Sequence, residues 1–404
     1  MTVTEIQPSQ ELRAAVDQRV RAGTSVAPLG AVDVDAFESN ARAMVARAGG
    51  LPIRVASKSL RSVEALRNAL SFEGFQGILA FSVPEAIALV GEGFTDIVVA
   101  YPSVNREALA QLATDEKLRA TITVMVDETA HLDLLDSLGA GPVRVAIDLD
   151  CTLRLPTEKL GALVIGPRRS PLRTPEQVAA FARDIVRRPN LKLVGMMAYE
   201  GQVASVADGE TGPVGAVKRW LRTRSLNDLA PRRAACIAAA REVADLEFVN
   251  GGGTGSLHES AAEGTLTELA AGSGLYTPAI FDRFTALEHR AAAFFVCQVS
   301  RIPAPGWVTV NSGGWIASGP PAADRVPVPV LPAGLKYSAT EGAGEVQTPL
   351  HGRAARNLKV GDLVWFRHAK AGEMTENVDS LLAVHHDGTV EEWSTYRGKG
   401  WTFR

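Results

Sequence analysis

The stretch IRVASKSL at residues 53–60 opens with IRVAS (53–57), the first of eight short, apolar runs that alternate with helical segments. The other seven runs are GILAFS (77–82), DIVVAYP (96–102), TITVMVD (121–127), VRVAIDLD (143–150), KLVGMMAYE (192–200), LEFVNGG (246–252) and TELAAGSG (267–274). Intervening segments such as TPEQVAAFARDIVRR open with capping residues or an early Pro, as helices do. Eight nearly continuous apolar strands separated by helices predict a (β/α)8 TIM barrel with a buried parallel sheet. A doubly wound open sheet is the alternative, and the strand count favours the barrel.

Two longer connections interrupt the alternation. They span 151–174, which contains PRRSPLRTP, and 201–232, which is rich in Gly, Ser and Arg. Both follow carboxyl ends of strands, where barrel enzymes build active-site loops.

The composition changes after residue 288, where runs such as FFVCQVSRI and DLVWFRH lie between Gly and Pro turns. These runs predict a smaller β domain, in which PPAADRVPVPVLPAG is a Pro-rich loop. The predicted division is an N-terminal segment (1–30) that packs on the β domain, a barrel (31–287) and a C-terminal β domain (288–404).

Charge and composition exclude several classes of function. The chain of 404 residues has 42 Lys and Arg against 45 Asp and Glu, a net charge of −3 that speaks against nucleic-acid binding. It has no apolar run long enough to span a membrane, and its start lacks the pattern of a signal peptide. Cys151, Cys236 and Cys297 lie far apart, which argues against disulfides or a thiolate zinc site and predicts a cytoplasmic protein.

Two features can carry chemistry. Lys58 ends the first predicted barrel strand, where an amine can form a Schiff base with an aldehyde cofactor, although a lone Lys at a strand end is usually only solvated. The loop VNGGGTGS (249–256) follows the seventh strand, where barrels often bind phosphate. A simple Gly-rich turn is the alternative. The loop matches neither a Walker A motif nor a dinucleotide fingerprint.

Together these features resemble the fold-type III pyridoxal phosphate enzymes, and most of all the D-threonine aldolase and D-serine dehydratase group. The resemblance covers nearly the whole chain and rests on the order of seven motifs, namely AVDVDAFESNARAM, RVASKS, AIDLDCTLR, GMMAYEGQ, VNGGGTGS, ELAAGSGLYTPAIFD and VGDLVWFRHAKAGE. It implies an alanine racemase-like barrel with a C-terminal β domain, a pyridoxal 5'-phosphate cofactor and a small-molecule amino acid substrate. It also implies a homodimer in which the small domain of one subunit closes the barrel of the other.

The resemblance assigns the cofactor site residue by residue. Lys58 would carry the Schiff base, and Tyr276 would donate its phenol to the phosphate unless it is only a packed aromatic. Arg154 would lie near the cofactor ring, with a surface salt bridge as its alternative, and Tyr199 would reach the ring nitrogen unless it belongs to the core. The residues implied to hold the phosphate by their backbone are Gly253, Thr254, Gly255 and Ser256.

Two acidic residues, Asp148 and Asp150, are two apart on the predicted fifth strand and therefore face one side of it. We interpret them as barrel structure, or as partners of Arg154, before we interpret them as catalytic acids.

One departure from the family pattern concerns a divalent metal, which a His-x-Cys pair in the small domain typically holds. The matching stretch RHAKAGE has His368, but Lys370 stands where the Cys would be. An ammonium is no metal ligand, so the sequence predicts an absent or weakened metal site. Lys370 would then bind the substrate carboxylate or stabilise a leaving hydroxide. His368 would act as acid or base on the β-hydroxyl with a pKa suited to neutral pH.

Other candidate ligands near His368 in the sequence are Glu373, His385 and His386. Because adjacent residues of a strand point to opposite faces, at most one of the two neighbouring histidines could join His368. The alternative for each is a satisfied or surface residue.

The sequence therefore predicts a pyridoxal phosphate-dependent lyase that acts on a β-hydroxy D-amino acid, by retro-aldol cleavage or by dehydration and deamination. A metal-free amino acid racemase is the first alternative. A pyridoxal phosphate-binding protein without turnover is the second, and the predicted β domain argues against it because single-barrel proteins of that kind lack one.

Borohydride labelling tests the assignment of Lys58. We expect the purified protein to absorb as a protonated Schiff base and to be reduced by borohydride, with the label on Lys58. Peptide mapping by mass spectrometry locates the label, and its recovery on another Lys would remove the assignment.

Overall fold

The computed structural model describes residues 5–139, 141–157, 161–285 and 287–403. Residues 1–4 and 404, at the outer ends of the predicted N-terminal segment and β domain, lie outside the described residues, as do 158–160 of the first predicted connection. The helices are α1 (Gln10–Arg21), α2 (Val34–Arg47), α3 (Val63–Leu70), α4 (Val83–Gly91), α5 (Arg106–Thr114), α6 (Glu116–Thr121), α7 (Thr129–Asp136), α8 (Pro175–Val186), α9 (Gly201–Ala204), α10 (Gly212–Arg241), α11 (Leu257–Ala262) and α12 (Ser273–Tyr276). The strands are β1 (Leu29–Asp33), β2 (Ile53–Ala56), β3 (Phe75–Ala80), β4 (Ile97–Val99), β5 (Ile122–Val126), β6 (Val143–Asp148), β7 (Leu153–Thr157), β8 (Gly161–Ile165), β9 (Leu191–Ala198), β10 (Phe248–Gly251), β11 (Glu268–Ala271), β12 (Ala293–Ala304), β13 (Trp307–Asn311), β14 (Val328–Leu331), β15 (Lys336–Tyr337), β16 (Gln347–His351), β17 (Leu363–Arg367), β18 (Ser380–Val384) and β19 (Val390–Ser394).

Eight parallel strands form a closed barrel in the order β2-β3-β4-β5-β6-β9-β10-β11, and β11 pairs with β2 to close it. Each of the eight apolar runs overlaps one of these strands, so the prediction of a (β/α)8 barrel is confirmed. Their residues are largely buried, as both faces of such a sheet are covered. The barrel helices begin as the sequence predicts, for example at α8, where Thr174 and Gln177 form a capping box around Pro175.

The chain divides into two compact units, each built from several segments. Among the described residues, the barrel unit comprises 44–57, 70–272 and 403, and the β unit comprises 5–43, 58–69 and 273–402. In the β unit, a nine-stranded sheet runs in the order β15-β16-β13-β12-β1-β18-β19, while β17 pairs with β12 and β14.

Strand β1 belongs to this sheet, although the predicted barrel domain begins at residue 31. It lies antiparallel to β12 and parallel to β18, and all five of its residues are buried. Leu12 and Val16 of α1 join its hydrophobic core, together with Phe294 and Trp365. Helix α1 therefore packs on the sheet of the β unit.

Three stretches that the sequence predicts as loops contain regular structure. The connection 201–232 holds most of α10, a 30-residue helix that continues through Pro231. The connection 151–174 holds the hairpin of β7 and β8. The Pro-rich stretch holds β14, in which Pro329 is tolerated because, among the described strands, β14 pairs only with β17 and is an edge. Searched over the residues that the structure describes, no helix is long and apolar enough to cross a membrane.

A buried ion pair joins the strands at which the barrel closes. Arg54 on β2 donates to Glu268 on β11 through Nε and Nη2, at 2.7 and 2.8 Å, and their side chains are 2% and 8% exposed. Asn250 on β10 donates to the same carboxylate at 2.8 Å. The pair therefore links three consecutive strands by hydrogen bonds that leave the carboxylate satisfied.

Substituting Arg54 by Met should lower the free energy of unfolding by about 3–5 kcal/mol, because Glu268 stays buried without its cation. Urea unfolding of the cofactor-free protein measures the change. The control is Arg144→Met, which removes a more exposed pair with Glu247 and should cost at most about 1 kcal/mol. The double variant Arg54→Met, Glu268→Leu should recover part of the loss, and equal costs for Arg54→Met and Arg144→Met would contradict the prediction.

Candidate active site

The glycine-rich loop of the barrel unit follows β10 and requires its glycines. Gly252 has φ +79°, in the left-handed region that favours Gly. A Cβ added at Gly253 would lie 2.8 Å from the Cβ of Ala204 and 3.4 Å from the ring of Tyr199. The loop backbone therefore packs against Tyr199 in a space that no side chain at residue 253 could share.

Behind this loop lies Glu200, a fully buried carboxylate that the sequence analysis did not single out. It accepts hydrogen bonds from the N–H of Gly252 at 3.1 Å, the hydroxyl of Ser256 at 2.8 Å and the hydroxyl of Ser260, and it pairs with buried Arg233 at 3.2 Å. Burial by itself raises the pKa of Glu200, but Arg233 and the two hydroxyls outweigh it and lower the pKa below its usual value. Glu200 is therefore an ionised anchor for the loop.

The four residues predicted to hold the phosphate already make hydrogen bonds within the protein. The N–H of Gly253 donates to the Ser256 hydroxyl at 3.1 Å, and that hydroxyl donates to Glu200. The Ser256 hydroxyl therefore donates its proton to a protein group and has none to offer a phosphate. The other two residues accept hydrogen bonds through their backbone carbonyls. The Thr254 carbonyl accepts from Arg47 at 2.8 Å, and the Gly255 carbonyl accepts from Arg222 at 2.7 Å.

Tyr199 shares its surroundings with an arginine that the sequence analysis quoted only within PRRSPLRTP. The guanidinium of Arg169 lies 5.3 Å from the ring centroids of both Tyr199 and Tyr101, in cation–π contact. The hydroxyl of Tyr199 is 3.2 Å from that of Ser205. The pKa of Tyr199 is raised, chiefly by burial.

Arg154 forms the salt bridge that the sequence analysis gave as its alternative role. It binds Asp150 at 2.8 Å, which also accepts from Arg173 at 3.2 Å, and the Arg154 side chain is 46% exposed. The expectation that Asp148 and Asp150 share one face of a strand is wrong, because β6 ends at Asp148.

In the β unit, Lys58 lies in a short turn directly after β2 and is exposed. A Cβ added at Gly372 (φ +108°) would be 2.5 Å from the Lys58 carbonyl oxygen, and Arg61 pairs with Glu376. The segment 372–376 therefore packs against Lys58 of its own chain. The expectation that His368 and its neighbours face a partner subunit's cofactor stays a prediction.

Ser318 holds Lys370 by hydrogen bonds. The Nζ of Lys370 donates to the carbonyl and the hydroxyl of Ser318, at 3.1 and 3.4 Å, and the Ser318 N–H donates to Glu373 at 2.9 Å. Burial lowers the pKa of Lys370, and the positive charges of Arg325 and Lys58 lower it further, against the effect of Glu373. Lys370 is therefore a more readily deprotonated amine than an ordinary Lys.

His368 is buried, and its ring meets that of Tyr276 edge-on at 6.3 Å between centroids. Burial and the charge of Arg367 lower the pKa of His368 to about 3. The prediction of a pKa suited to neutral pH is wrong, because the imidazole has no solvent to stabilise its cation. A neutral imidazole of such low basicity is a poor acid or base at pH 7.

The hydroxyl of Tyr276 is buried without a hydrogen-bond partner among the described residues. Neither ring nitrogen of His368 makes a well-formed hydrogen bond within the described part of the chain, although the backbone of Ala293 lies beside the ring. Buried polar groups are rarely left unpaired, so an unpaired phenol marks a place for a ligand acceptor.

His385 and His386 follow the end of β18, so the expectation that they lie on a strand is wrong. They pair with Glu391 at 3.3 Å and Asp35 at 3.1 Å. Within the described ranges, no three His, Cys, Asp or Glu side chains are grouped to hold a metal ion.

These groups fit a phosphorylated aldehyde cofactor. In the β unit, the phenol of Tyr276 has a donor to offer, and the amine of Lys58 is exposed. Residues 32–277 match the family described as alanine racemase, N-terminal domain. The chain belongs to this family of fold-type III pyridoxal phosphate enzymes.

Known relatives extend over both units. A 3-hydroxy-D-aspartate aldolase of Paracoccus denitrificans is 28% identical over 296 residues, 70% of each chain. A D-threonine aldolase of an Arthrobacter species is 28% identical over 377 residues, 89% of each chain. The crystal structure of D-threonine aldolase from Filomicrobium marinum has the same fold, with a TM-score of 0.75 at 24% identity, and covers 92% of this chain and 95% of its own.

Asp148, at the end of β6, has an unusual protonation equilibrium. It is 5% exposed, and burial together with nearby Asp127 raises its pKa to about 7, against the opposing charge of Arg169. The folded protein therefore holds a proton on Asp148 at pH values where the unfolded chain, with a carboxyl pKa near about 3.9, does not.

Replacing Asp148 by Asn should flatten the pH dependence of stability. The proton on Asp148 stabilises the fold fully below about pH 4, and this contribution is lost as pH rises to about 7, with a slope of at most about 1.4 kcal/mol per pH unit. Urea unfolding at a series of pH values measures the difference between wild type and Asp148→Asn. Asp17→Asn, at an exposed site on α1, is the control. Parallel curves for wild type and Asp148→Asn would contradict the prediction.

Proposed function

We propose that this protein is a pyridoxal phosphate-dependent lyase that cleaves β-hydroxy D-amino acids. The observation that carries the proposal is the partly buried amine of Lys370, which Ser318 holds by two hydrogen bonds and whose pKa is lowered by burial and by the charges of Arg325 and Lys58. The family and the names of two relatives, a 3-hydroxy-D-aspartate aldolase and a D-threonine aldolase, support the same chemistry.

When bound, the cofactor supplies an electron sink for the bonds at the substrate Cα. Lys58 would hold the aldehyde carbon and, once displaced by the substrate amine, move a proton at Cα. Within the loop Gly253–Ser256, the N–H of Gly255 would bind the phosphate, because the N–H groups of Gly253 and Ser256 are used inside the loop. The phenol of Tyr276 would add a second donor. Tyr199 would lie against the cofactor ring, and Arg154 near it.

Handling of the β-hydroxyl falls to Lys370 rather than His368. In retro-aldol cleavage, a base takes the hydroxyl proton while the Cα–Cβ bond breaks and the hydroxyl oxygen becomes an aldehyde carbonyl. The electron pair of the broken bond stays with Cα, which is then protonated to give glycine. Lys370 in its neutral form can accept that proton, whereas the buried His368 holds one too weakly at pH 7. As an ammonium, Lys370 could instead donate a proton to a leaving hydroxide, so the same position also suits dehydration.

We further propose that turnover needs no divalent metal. Lys370 occupies the position at which the family pattern has a thiolate, and its positive charge opposes a cation there. As an ammonium, the same group can bind the substrate carboxylate. The protein would act on free amino acids as a cytoplasmic homodimer.

A racemase remains the second candidate, because Lys370 and Lys58 are two amines in one neighbourhood and inversion needs two bases. A binding protein without turnover is disfavoured by the nine-stranded sheet of the β unit, which single-barrel relatives lack.

Incubation of the cofactor-loaded protein with D-threonine, D-3-hydroxyaspartate, D-serine and D-alanine separates these functions. We expect glycine from the first two, with acetaldehyde from D-threonine. Ammonia from D-serine would indicate a dehydratase, and L-alanine from D-alanine would indicate a racemase. Absence of all products would overturn the assignment as an enzyme of this class.

Replacing Lys370 by Met should lower kcat for cleavage about 10²-fold or more, which is typical for loss of a general base. The pH at which kcat reaches half its maximum should lie below that of an ordinary Lys in the wild type, and the rise should vanish in the variant. Lys336→Met, on the exposed end of β15, is the control. Dialysis against a chelator should leave wild-type turnover unchanged, and loss of turnover that zinc restores would overturn the metal-free proposal.

A further inference from the structure

We propose that Arg47, Arg222 and Glu200 are positioning residues that fix the peptide groups of the glycine-rich loop so that the N–H of Gly255 faces a phosphate monoester. The inference rests on the proposed cofactor site and adds three charged side chains that act on the loop from behind. All of them belong to the barrel unit.

Arg47, the last residue of α2, fixes the first of two consecutive peptides. Its Nη1 donates to the carbonyl oxygen of Thr254 at 2.8 Å. In a trans peptide, the carbonyl and the following N–H point in opposite directions. The N–H of Gly255 is therefore held on the side of the loop that faces away from Arg47.

Arg222 of α10 fixes the next peptide in the same way. It is 7% exposed, and its Nη2 donates to the carbonyl oxygen of Gly255 at 2.7 Å, while its Nη1 donates to the carbonyl of Val203 at 2.6 Å. An ion pair with Glu259 holds the guanidinium in place. The N–H of Ser256 on this peptide closes a turn onto the Gly253 carbonyl at 2.9 Å.

Glu200 fixes the entry to the loop with the opposite charge. Its carboxylate accepts from the N–H of Gly252 and from the Ser256 hydroxyl, so both donors turn inward. The two arginines, each at a carbonyl, and Glu200, at the N–H of Gly252, thus set the direction of the peptide dipoles in the loop. The positive charge of Arg47 also favours an anion at the loop, whereas Glu259 neutralises Arg222 and Arg233 neutralises Glu200.

If these side chains only stabilised the fold, replacing them would affect the binding of ligands with and without a phosphate equally. Pyridoxal, which has the same ring and aldehyde but no phosphate, separates the two roles. Positioning of the loop predicts an effect on pyridoxal 5'-phosphate that pyridoxal does not share.

The test is titration of the cofactor-free protein with each compound, followed by absorbance, in wild type and three variants. Arg47→Met and Glu200→Gln should raise the Kd for pyridoxal 5'-phosphate at least about 10-fold and the Kd for pyridoxal less than about twofold, since about one to two charge-assisted hydrogen bonds to the loop are lost in each. Glu263→Gln is the matched control, because Glu263 pairs with the same Arg233 at 2.7 Å while its described contacts lie outside the loop. It should change neither Kd.

Circular dichroism establishes that each variant is folded. Should Arg47→Met unfold, Arg47→Lys keeps the charge but loses the planar guanidinium, and it should weaken binding of the phosphorylated compound alone. Equal weakening of both compounds, or no change in either, would overturn the positioning role. A wild-type protein that binds neither compound would overturn the proposed cofactor site together with this inference.

Discussion

The ion pair of Glu200 and Arg233 has no exposure to solvent, and much of the barrel unit is arranged around it. Two charges removed from water destabilise a protein unless their remaining hydrogen bonds are satisfied. Here Glu200 follows β9 and Arg233 belongs to α10, and the hydroxyls and the N–H that complete the carboxylate come from the loop after β10 and from α11. Satisfying one carboxylate thus brings β9, α10, the glycine-rich loop after β10 and α11 together.

The β unit is organised around a different constraint, the close approach of two backbones. Gly372 is the residue that lets the segment after β17 lie against the carbonyl of Lys58. Ser318 accepts hydrogen bonds from Lys370, and its N–H donates to Glu373. An amine of lowered pKa is thereby held where the family pattern has a thiolate, which is the physical basis of the proposed β-hydroxyl chemistry.

Pattern and spacing predicted the elements whose signals are local. All eight barrel strands and the β runs after residue 288 follow from apolar runs bounded by turn residues. The elements that the sequence did not predict depend on contacts outside their own segment. Pro231 lies inside α10 and Pro329 inside β14, because neighbouring packing or an edge position outweighs a local breaker. The sequence did not predict that strand β1 joins the β sheet, because its pairing partners are about 260 and 350 residues away, beyond any local pattern.

The sequence by itself determined the barrel, the class of cofactor and the residues that depend on a motif, such as Lys58 and the loop at 249–256, because these signals lie within a few residues of one another. Only the tertiary structure decided the charge states and partners of those residues. Burial lowers the pKa of His368, and Arg154 pairs with Asp150. Glu200 anchors the loop because it accepts hydrogen bonds from donors up to 60 residues away. Solvent exclusion and the approach of distant side chains set such properties, and neither can be deduced from the order of residues along the chain.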